Sequence, residues 1–506
     1  MRNNVKGLER ECDGPLATVI NSLVFQNRFD EALIELDALL KDDEWNPDIY
    51  VAISLATEGK GRIEEAIQAM QFAILLDIAD PLKYIRLGEL LLNIMEAKDA
   101  TDAFKQAIHL EPTNYGAYIG LSRSLHEQDL LEEALEAAKE AIRIDSLQIH
   151  AHELHGAVLH SMGLDEEAIA AFSAGLDVHP DSASLHTLRG TLLLACQRYR
   201  EGWDELEWRF KGVLSSVEAK HSHLPAWDGK SQSQRVFIWR EQGLGDEILY
   251  LGLLHNSIQK TQQFIIEVDE RLIPLARRSF PGCSFISSNE AGTIREGTPA
   301  VAMGSVCKYL NLDSYIAPRA GQYLVADPRK VEAVASQLED TTTEAVDLRI
   351  GLSWKSFRQH LSAYKSVPVN KLSLLFQNNQ FQPVNLQYSA NQDEIDEFNK
   401  ASSQPMACLD INIRDDIDQL ASLIECCDIV ITVSNVTAHI ASALGKETWV
   451  LLPRPKGLIW YWLREGETVP WYPNTHLFRQ KASSNWDEVI ERVRHELCAR
   501  TGMKHI

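Results

Sequence analysis

The sequence predicts an α-helical repeat array followed by an α/β region of the doubly wound kind. Three observations predict it. Small and aromatic residues recur in one register, at a period near 34, between residues 13 and 210. At 236–254, VFIWREQGLGDEILYLGLL runs from a β-rich stretch through a glycine turn into a helical pattern. At 428–445 a continuous apolar run, DIVITV, breaks at Ser434-Asn435 and resumes as a helix with a glycine stop.

The totals set the frame. A chain of 506 residues with 45% hydrophobic content exceeds one core, so several domains are expected. The net charge of -23 argues against non-specific binding to nucleic acid or to an anionic membrane. The start, MRNNVKGLERECDGP, lacks the apolar core of a signal peptide, and no run is apolar enough to span a bilayer. The 8 cysteines form no CxxC or Cys/His spacing. A cytoplasmic protein without a metal or cofactor is the expectation.

Residues 81–114 define the repeat. Tyr84, Leu87, Gly88, Ala100, Phe104, Ala107 and Pro112 fall where a tetratricopeptide helix pair wants them, and units at 115–148 and 149–182 keep the register. Looser units lie near 13–46 and 47–80, and a sixth begins at Ala183. First helices of such pairs line a concave groove, which places Ile85, Glu89, Leu92, Ile119, Arg123, His126, Glu153 and His160 there. A mixed apolar and polar groove suits a protein segment. The bland reading is a spacer with a solvated inner face. His150, His152, His155 and His160 cluster, but no carboxylate or cysteine set completes a metal site.

The sixth unit departs from the pattern at Tyr199-Arg-Glu-Gly202-Trp203, whose aromatics suggest a helix docking on the next domain. A linker over 211–235 follows, with an aromatic anchor at PAWDG. Strands are then expected at 236–239, 264–268, 300–304, 348–354, 384–388, 428–433 and 449–452, with a hinge at 326–347. Gly243 and Gly245 let backbone approach a ligand, and the helix start offers N–H groups to an anion. Asp246 stands at that helix start, as a cap or as a base.

EGWDELEWR (201–209), PAWDG (225–229), EQGLGDEILY (241–250), GLSWKS (351–356), NLQY (385–388), CDIVITVSNVTAHIASALG (427–445), WVLLP (449–453) and WYPNTHLFRQ (471–480) follow one another in this order. Together they resemble bacterial proteins that join tetratricopeptide repeats to a heptosyltransferase-like glycosyltransferase domain, including flagellin glycosyltransferases. The resemblance implies a GT-B-like pair of Rossmann-like domains, 236–325 and 348–500, the second binding the donor. It implies Asp246 as general base. Lys355, Ser434, Asn435, Thr437, His439 and Gln387 are implied to bind a nucleotide-sugar donor, with no metal. The implied activity moves a sugar to Ser or Thr of a flagellin-like acceptor protein held by the repeats. The chain departs from the family pattern at Ser434-Asn435, where the family has Asp-Thr, and at Tyr461, between Trp460 and Trp462.

Two other readings stand beside it: a repeat scaffold with a catalytically silent α/β region, and a transferase for glycans or lipid-linked saccharides. The Gly243/Gly245 turn with Glu267 imitates a nicotinamide fingerprint but lacks its third glycine. Asn435-Val-Thr437 imitates a glycosylation sequon at a strand end expected to be buried. His255 reads as an ordinary helix-surface histidine, or as a second acid/base.

Overall fold

The computed structural model describes residues 16, 19–211, 221, 223–229, 235–260, 264–309, 322–341, 346–357, 362–377, 380–454, 457–481 and 485–501. Most of the expected 211–235 linker lies outside them. The chain divides into two compact units, Met1–Leu185 and His186–Ile506.

The first unit is a run of antiparallel helices. After a helical turn at Ile20–Val24 come α1 (Phe29–Asp42), α2 (Pro47–Gly59), α3 (Ile63–Leu76), α4 (Pro81–Asn93), α5 (Ala97–Leu110), α6 (Tyr115–Glu127), α7 (Leu131–Ile144), α8 (Ile149–Ser161) and α9 (Asp165–Val178). The period is written into the caps. Asn46, Asp80 and Asn114 cap α2, α4 and α6 through their side chains, and Pro47 and Pro81 open two of these helices. Gln148 departs from this series, capping α8 with no side-chain bond. The turns inside the pairs carry Asn27, Gly61, Met95, Asp129, Gly163 and Gln197, all at φ between 60° and 82°. Each left-handed residue reverses the chain, and their spacing is the repeat length.

Packing follows the same period. Ala32, Ala66, Ala100, Ala134 and Ala168 have no exposed surface, because two helix backbones meet there. Phe104, fully buried, fills the space left by Gly88, where an added Cβ would stand 2.6 Å from its ring, and it also touches Gly120 of the next pair. At the next position of the alanine series stands Gly202, which crosses Gly190 and Leu194. The sixth pair, α10 (Ala183–Ala195) and α11 (Tyr199–Leu206), therefore keeps the repeat geometry.

Residues from His186 nevertheless belong to the second unit, so the array expected to end at 210 gives up its last pair to the α/β region. The reason is aromatic. Leu194, Ala195, Trp203 and Leu206 share one core with Ile238, Leu249 and Leu251. Trp203 packs edge-on against Trp460, with ring centroids 5.2 Å apart, and at a tilt against Tyr250, with centroids 6.4 Å apart.

The first α/β half holds β1 (Val236–Trp239), α12 (Leu244–Lys260), β2 (Phe264–Glu267), α13 (Ile273–Ser279), β3 (Ser284–Ile286), β4 (Ala300–Ala302) and α14 (Met303–Tyr309). Its sheet is parallel, in the order β3-β2-β1-β4. Then α15 (Pro328–Thr341) occupies most of the stretch expected to be a hinge. Arg329, Glu332, Glu339 and Asp340 lie on the exposed side of this amphipathic helix, which buries Val334 and Leu338, while Lys330 pairs with Asp416.

The second half holds β5 (Leu348–Ser353), two short helices α16 (Ser362–Lys365) and α17 (Val369–Leu372), β6 (Phe381–Asn385), α18 (Gln392–Ala401), α19 (Ile417–Glu425), β7 (Ile429–Val433), α20 (Val436–Ala443), β8 (Glu447–Leu452), β9 (Thr475–Arg479) and α21 (Asp487–Thr501). Its parallel sheet runs β6-β5-β7-β8-β9. β6 ends at Asn385, so Gln387 lies beyond the strand expected over 384–388. Among the described residues no helix is long and apolar enough to cross a membrane.

Candidate functional site

Strand order changes direction at β1 in the first sheet and at β5/β7 in the second. Loops leaving the carboxyl ends of strands at such points diverge and leave a crevice. A cavity of about 940 Å³ lies there within the second unit, walled by the loops after β1, β2, β5, β6, β7 and β8.

The β1 loop brings Glu241 through Asp246 to the wall. Asp246 is the third residue of α12, and its Oδ2 accepts the Gly243 N–H at 3.2 Å. The carboxylate thus reaches back over the helix start instead of standing before it as the cap. Gly245 touches the opposite wall: an added Cβ would lie 2.8 Å from His439 Cδ2.

The β7 loop supplies Ser434, Asn435, Val436 and His439. Asn435 caps α20, its Oδ1 accepting from Ala438 N and from Thr432 Oγ1. Its amide nitrogen donates to Ser353 Oγ at 2.8 Å and to the Lys355 carbonyl at 3.1 Å. Both ends of that amide therefore serve the fold. Ser434 Oγ accepts from Trp462 Nε1 at 2.8 Å. His439 is 1% exposed, and its Nδ1 pairs with Tyr472 Oη at 2.9 Å. Burial, helped by the Lys365 charge, pushes its pKa down to about 3, so the ring is neutral at ordinary pH.

Three expected donor ligands are placed elsewhere. Lys355 does not line the cavity; its ammonium pairs with Glu394 of α18. Gln387 is buried, and its Oε1 accepts from Ser353 Oγ, Trp354 N and Lys355 N, so it straps the end of β5. Thr437 is fully buried in the first turn of α20, its hydroxyl without a hydrogen-bond partner, and does not line the cavity. His255 is half-buried among Phe280 and Tyr323, a packing role that replaces both the surface and the acid/base readings.

Three cations outside the sequence motifs line the cavity. Lys365, 2% exposed, lines the cavity from α16, and Arg271 and Arg414 line it from other loops. Arg271 is fixed by a two-pronged contact to Asp269, Nε to Oδ1 at 2.8 Å and Nη2 to Oδ2 at 3.0 Å. Glu247, buried beside Asp246, accepts the Asp269 N–H at 2.7 Å and a bond from Arg240 Nε at 2.7 Å. Burial raises its carboxyl to about 7 against the pull of Arg240. Arg271 and Lys365 follow the carboxyl ends of β2 and β5, a position that marks such residues, whereas Arg414 lies past α18 and carries no such signal.

In the repeats, Arg123 is exposed while Ile85, Glu89, Leu92, Ile119 and His126 are half-buried. Some of this surface is spent on the array itself. His126 Nε2 pairs with Ser161 Oγ at 2.7 Å, and Glu89 accepts from Arg86 at 2.8 Å. Of the expected histidine cluster, His150 pairs with Glu153, His152 with the Ser146 carbonyl and His160 with Asp165.

Comparison with known proteins agrees with the repeats. Residues 85–148 match the family model for the tetratricopeptide repeat. The chain is 28% identical over 328 residues to Protein FlbA of Caulobacter vibrioides, a match covering 60% of this chain and 53% of that protein. The chain thus spans about half the length of that curated relative. Similar solved structures include MamA 41-end from Desulfovibrio magneticus RS-1, 19% identical, with a TM-score of 0.29, over 35% of this chain and 96% of that one. YrrB, described as a TPR protein with an unusual peptide-binding site, is 18% identical, with a TM-score of 0.29, over 37% of this chain and 97% of that one. The chain carries tetratricopeptide repeats, followed by parallel sheets with helices.

Proposed function

We propose that the chain is a glycosyltransferase that moves a sugar from a nucleotide donor to a hydroxyl of an acceptor protein, Ser or Thr of a flagellin-like substrate, recognised by the repeats. The observation that carries this reading is the cavity. It sets Asp246 across from the start of α20 and includes Lys365, where strand order reverses in both sheets. In the proposed reaction the Asp246 carboxylate takes the proton of the acceptor hydroxyl as its oxygen bonds to the anomeric carbon. The bond from that carbon to the donor phosphate oxygen breaks. The charge left on the nucleotide is met by the first N–H groups of α20, by Ser434 and by Lys365. Neutral His439 takes part as a hydrogen-bonding group, not as a cation.

Nucleoside diphosphates and monophosphates, titrated calorimetrically into the full chain, are expected to bind at this cavity. Lys365→Ala is expected to weaken binding by about tenfold, the worth of one charge-assisted contact. Lys355→Ala is expected to leave it unchanged, since that ammonium serves Glu394. A panel with no binding nucleotide would instead favour the scaffold reading. That reading draws on the engagement of Lys355, Gln387 and Asn435 in structural bonds.

For the repeats, Ile119→Asp and Arg123→Glu in the full chain are expected to lower recovery of acceptor in pull-downs by about tenfold, because binding energy concentrates in few anchors. Equal recovery by the variants would remove the groove from acceptor recognition.

A further inference from the structure

The sixth repeat pair ends in a short helical turn, Glu207–Phe210, and Arg209 in that turn reaches into the α/β core. Its Nε and Nη2 both donate to Glu241, each at 2.8 Å. Nη1 donates to the Leu206 carbonyl at 2.8 Å and to Glu207 at 3.2 Å, and Nη2 also to Ser305 Oγ at 2.8 Å. All five guanidinium N–H groups thus have acceptors, which a lysine ammonium with three donors cannot reproduce. Glu241 opens the glycine loop and forms part of the cavity wall. It accepts a third bond, from Gly304 N at 2.7 Å, where an added Cβ would stand 2.6 Å from its Oε1. Side-chain exposure is 11% for Arg209 and 4% for Glu241, so the pair is shielded from water.

We propose that Arg209 is a positioning residue: through Glu241 it fixes the glycine loop, and with it the Asp246 carboxylate, at the cavity. The inference rests on the glycosyltransferase reading for its catalytic consequence and on geometry alone for the loop. It gives the repeat-derived pair a part in the chemistry of the α/β unit. The aromatic residues around it supply packing, whereas this ion pair supplies a fixed direction.

The test uses the full chain with Arg209→Lys, which keeps the charge and loses the fork. Amide hydrogen exchange at Gly243, whose N–H reports directly on the Asp246 carboxylate, is expected to quicken by about tenfold or more, while β1, β5 and β7 exchange as in the parent. Turnover is expected to fall about tenfold to a hundredfold with the KM for the donor within about twofold, the mark of misplacement without lost binding. Glu241→Gln, which retains an acceptor for Gly304 N, is expected to change exchange and turnover in the same directions, and it decides the matter if Arg209→Lys does not fold. Unchanged exchange at Gly243 in the folded variants would overturn the proposal, as would acceleration spread equally over the sheets. A parent protein that transfers no sugar would strike the proposed function alone, because the exchange comparison still decides the loop.

Discussion

Asp246→Asn is expected to lower sugar transfer by roughly two to four orders of magnitude, the range over which a positioned base contributes, with little change in fold or nucleotide affinity. The substitution separates the two roles that the carboxylate carries. Its structural role is to accept the Gly243 N–H, at 3.2 Å, over the first turn of α12. An amide oxygen accepts that bond equally well, and the lost charge at the helix start costs about 0.3–1 kcal/mol. Its chemical role is to take a proton, which an amide cannot do. Intact-mass measurement of acceptor protein over time reads the second role, and thermal melting reads the first. A variant that transfers at the parental rate would show that Asp246 only orders the helix start. His255 is then no substitute, for it packs on Phe280 and Tyr323 and does not line the cavity.

The repeat register and most of the strands were legible because each rests on a local rule. Period, alanine contacts and caps need only neighbours in sequence, and parallel strands declare themselves as short apolar runs. What a side chain faces past a strand end is not local. Lys355 and Lys365 both follow β5, and their spacing to any motif does not say which one turns to the cavity. The strap of Gln387 on Lys355 N and the acceptor offered by Glu394 decide it, and both come from the segment after β6. The same holds for Arg209 and Glu241, which are 32 residues apart and meet only because Trp203 and Leu206 are drawn into the α/β core. The expected hinge at 326–347 misled for a different reason: the polar residues over 328–341 form the solvent face of a helix, which composition without periodicity imitates as a loop.

Gly245→Ala is expected to cost about 1–3 kcal/mol of stability and to slow transfer, whereas Gly243→Ala is expected to do little of either. The two glycines share a motif but not a surrounding. At Gly243 an added Cβ meets only Asp246 Oδ2, at an ordinary 3.5 Å. At Gly245 it would press on His439 Cδ2 at 2.8 Å and on Nε2 at 3.3 Å. The imidazole has nowhere to retreat: it is held by Tyr472 Oη and flanked by Tyr461 and Trp462. Tyr472 is 1% exposed and lies beside Tyr323, whose hydroxyl donates to the Ile248 carbonyl at 2.8 Å. The glycine loop must therefore move, carrying Asp246 one residue on, and a shift of a few tenths of an ångström to an ångström lowers turnover by up to about a hundredfold. A double-mutant cycle identifies the clash as the cause. His439→Ala removes the ring, so Gly245→Ala added to it is expected to cost about 0.5–3 kcal/mol less than in the parent. Strict additivity of the two changes in thermal or denaturant unfolding would show that the loop and α20 are not in contact as described, and would remove the close approach of these two walls from the account of the cavity.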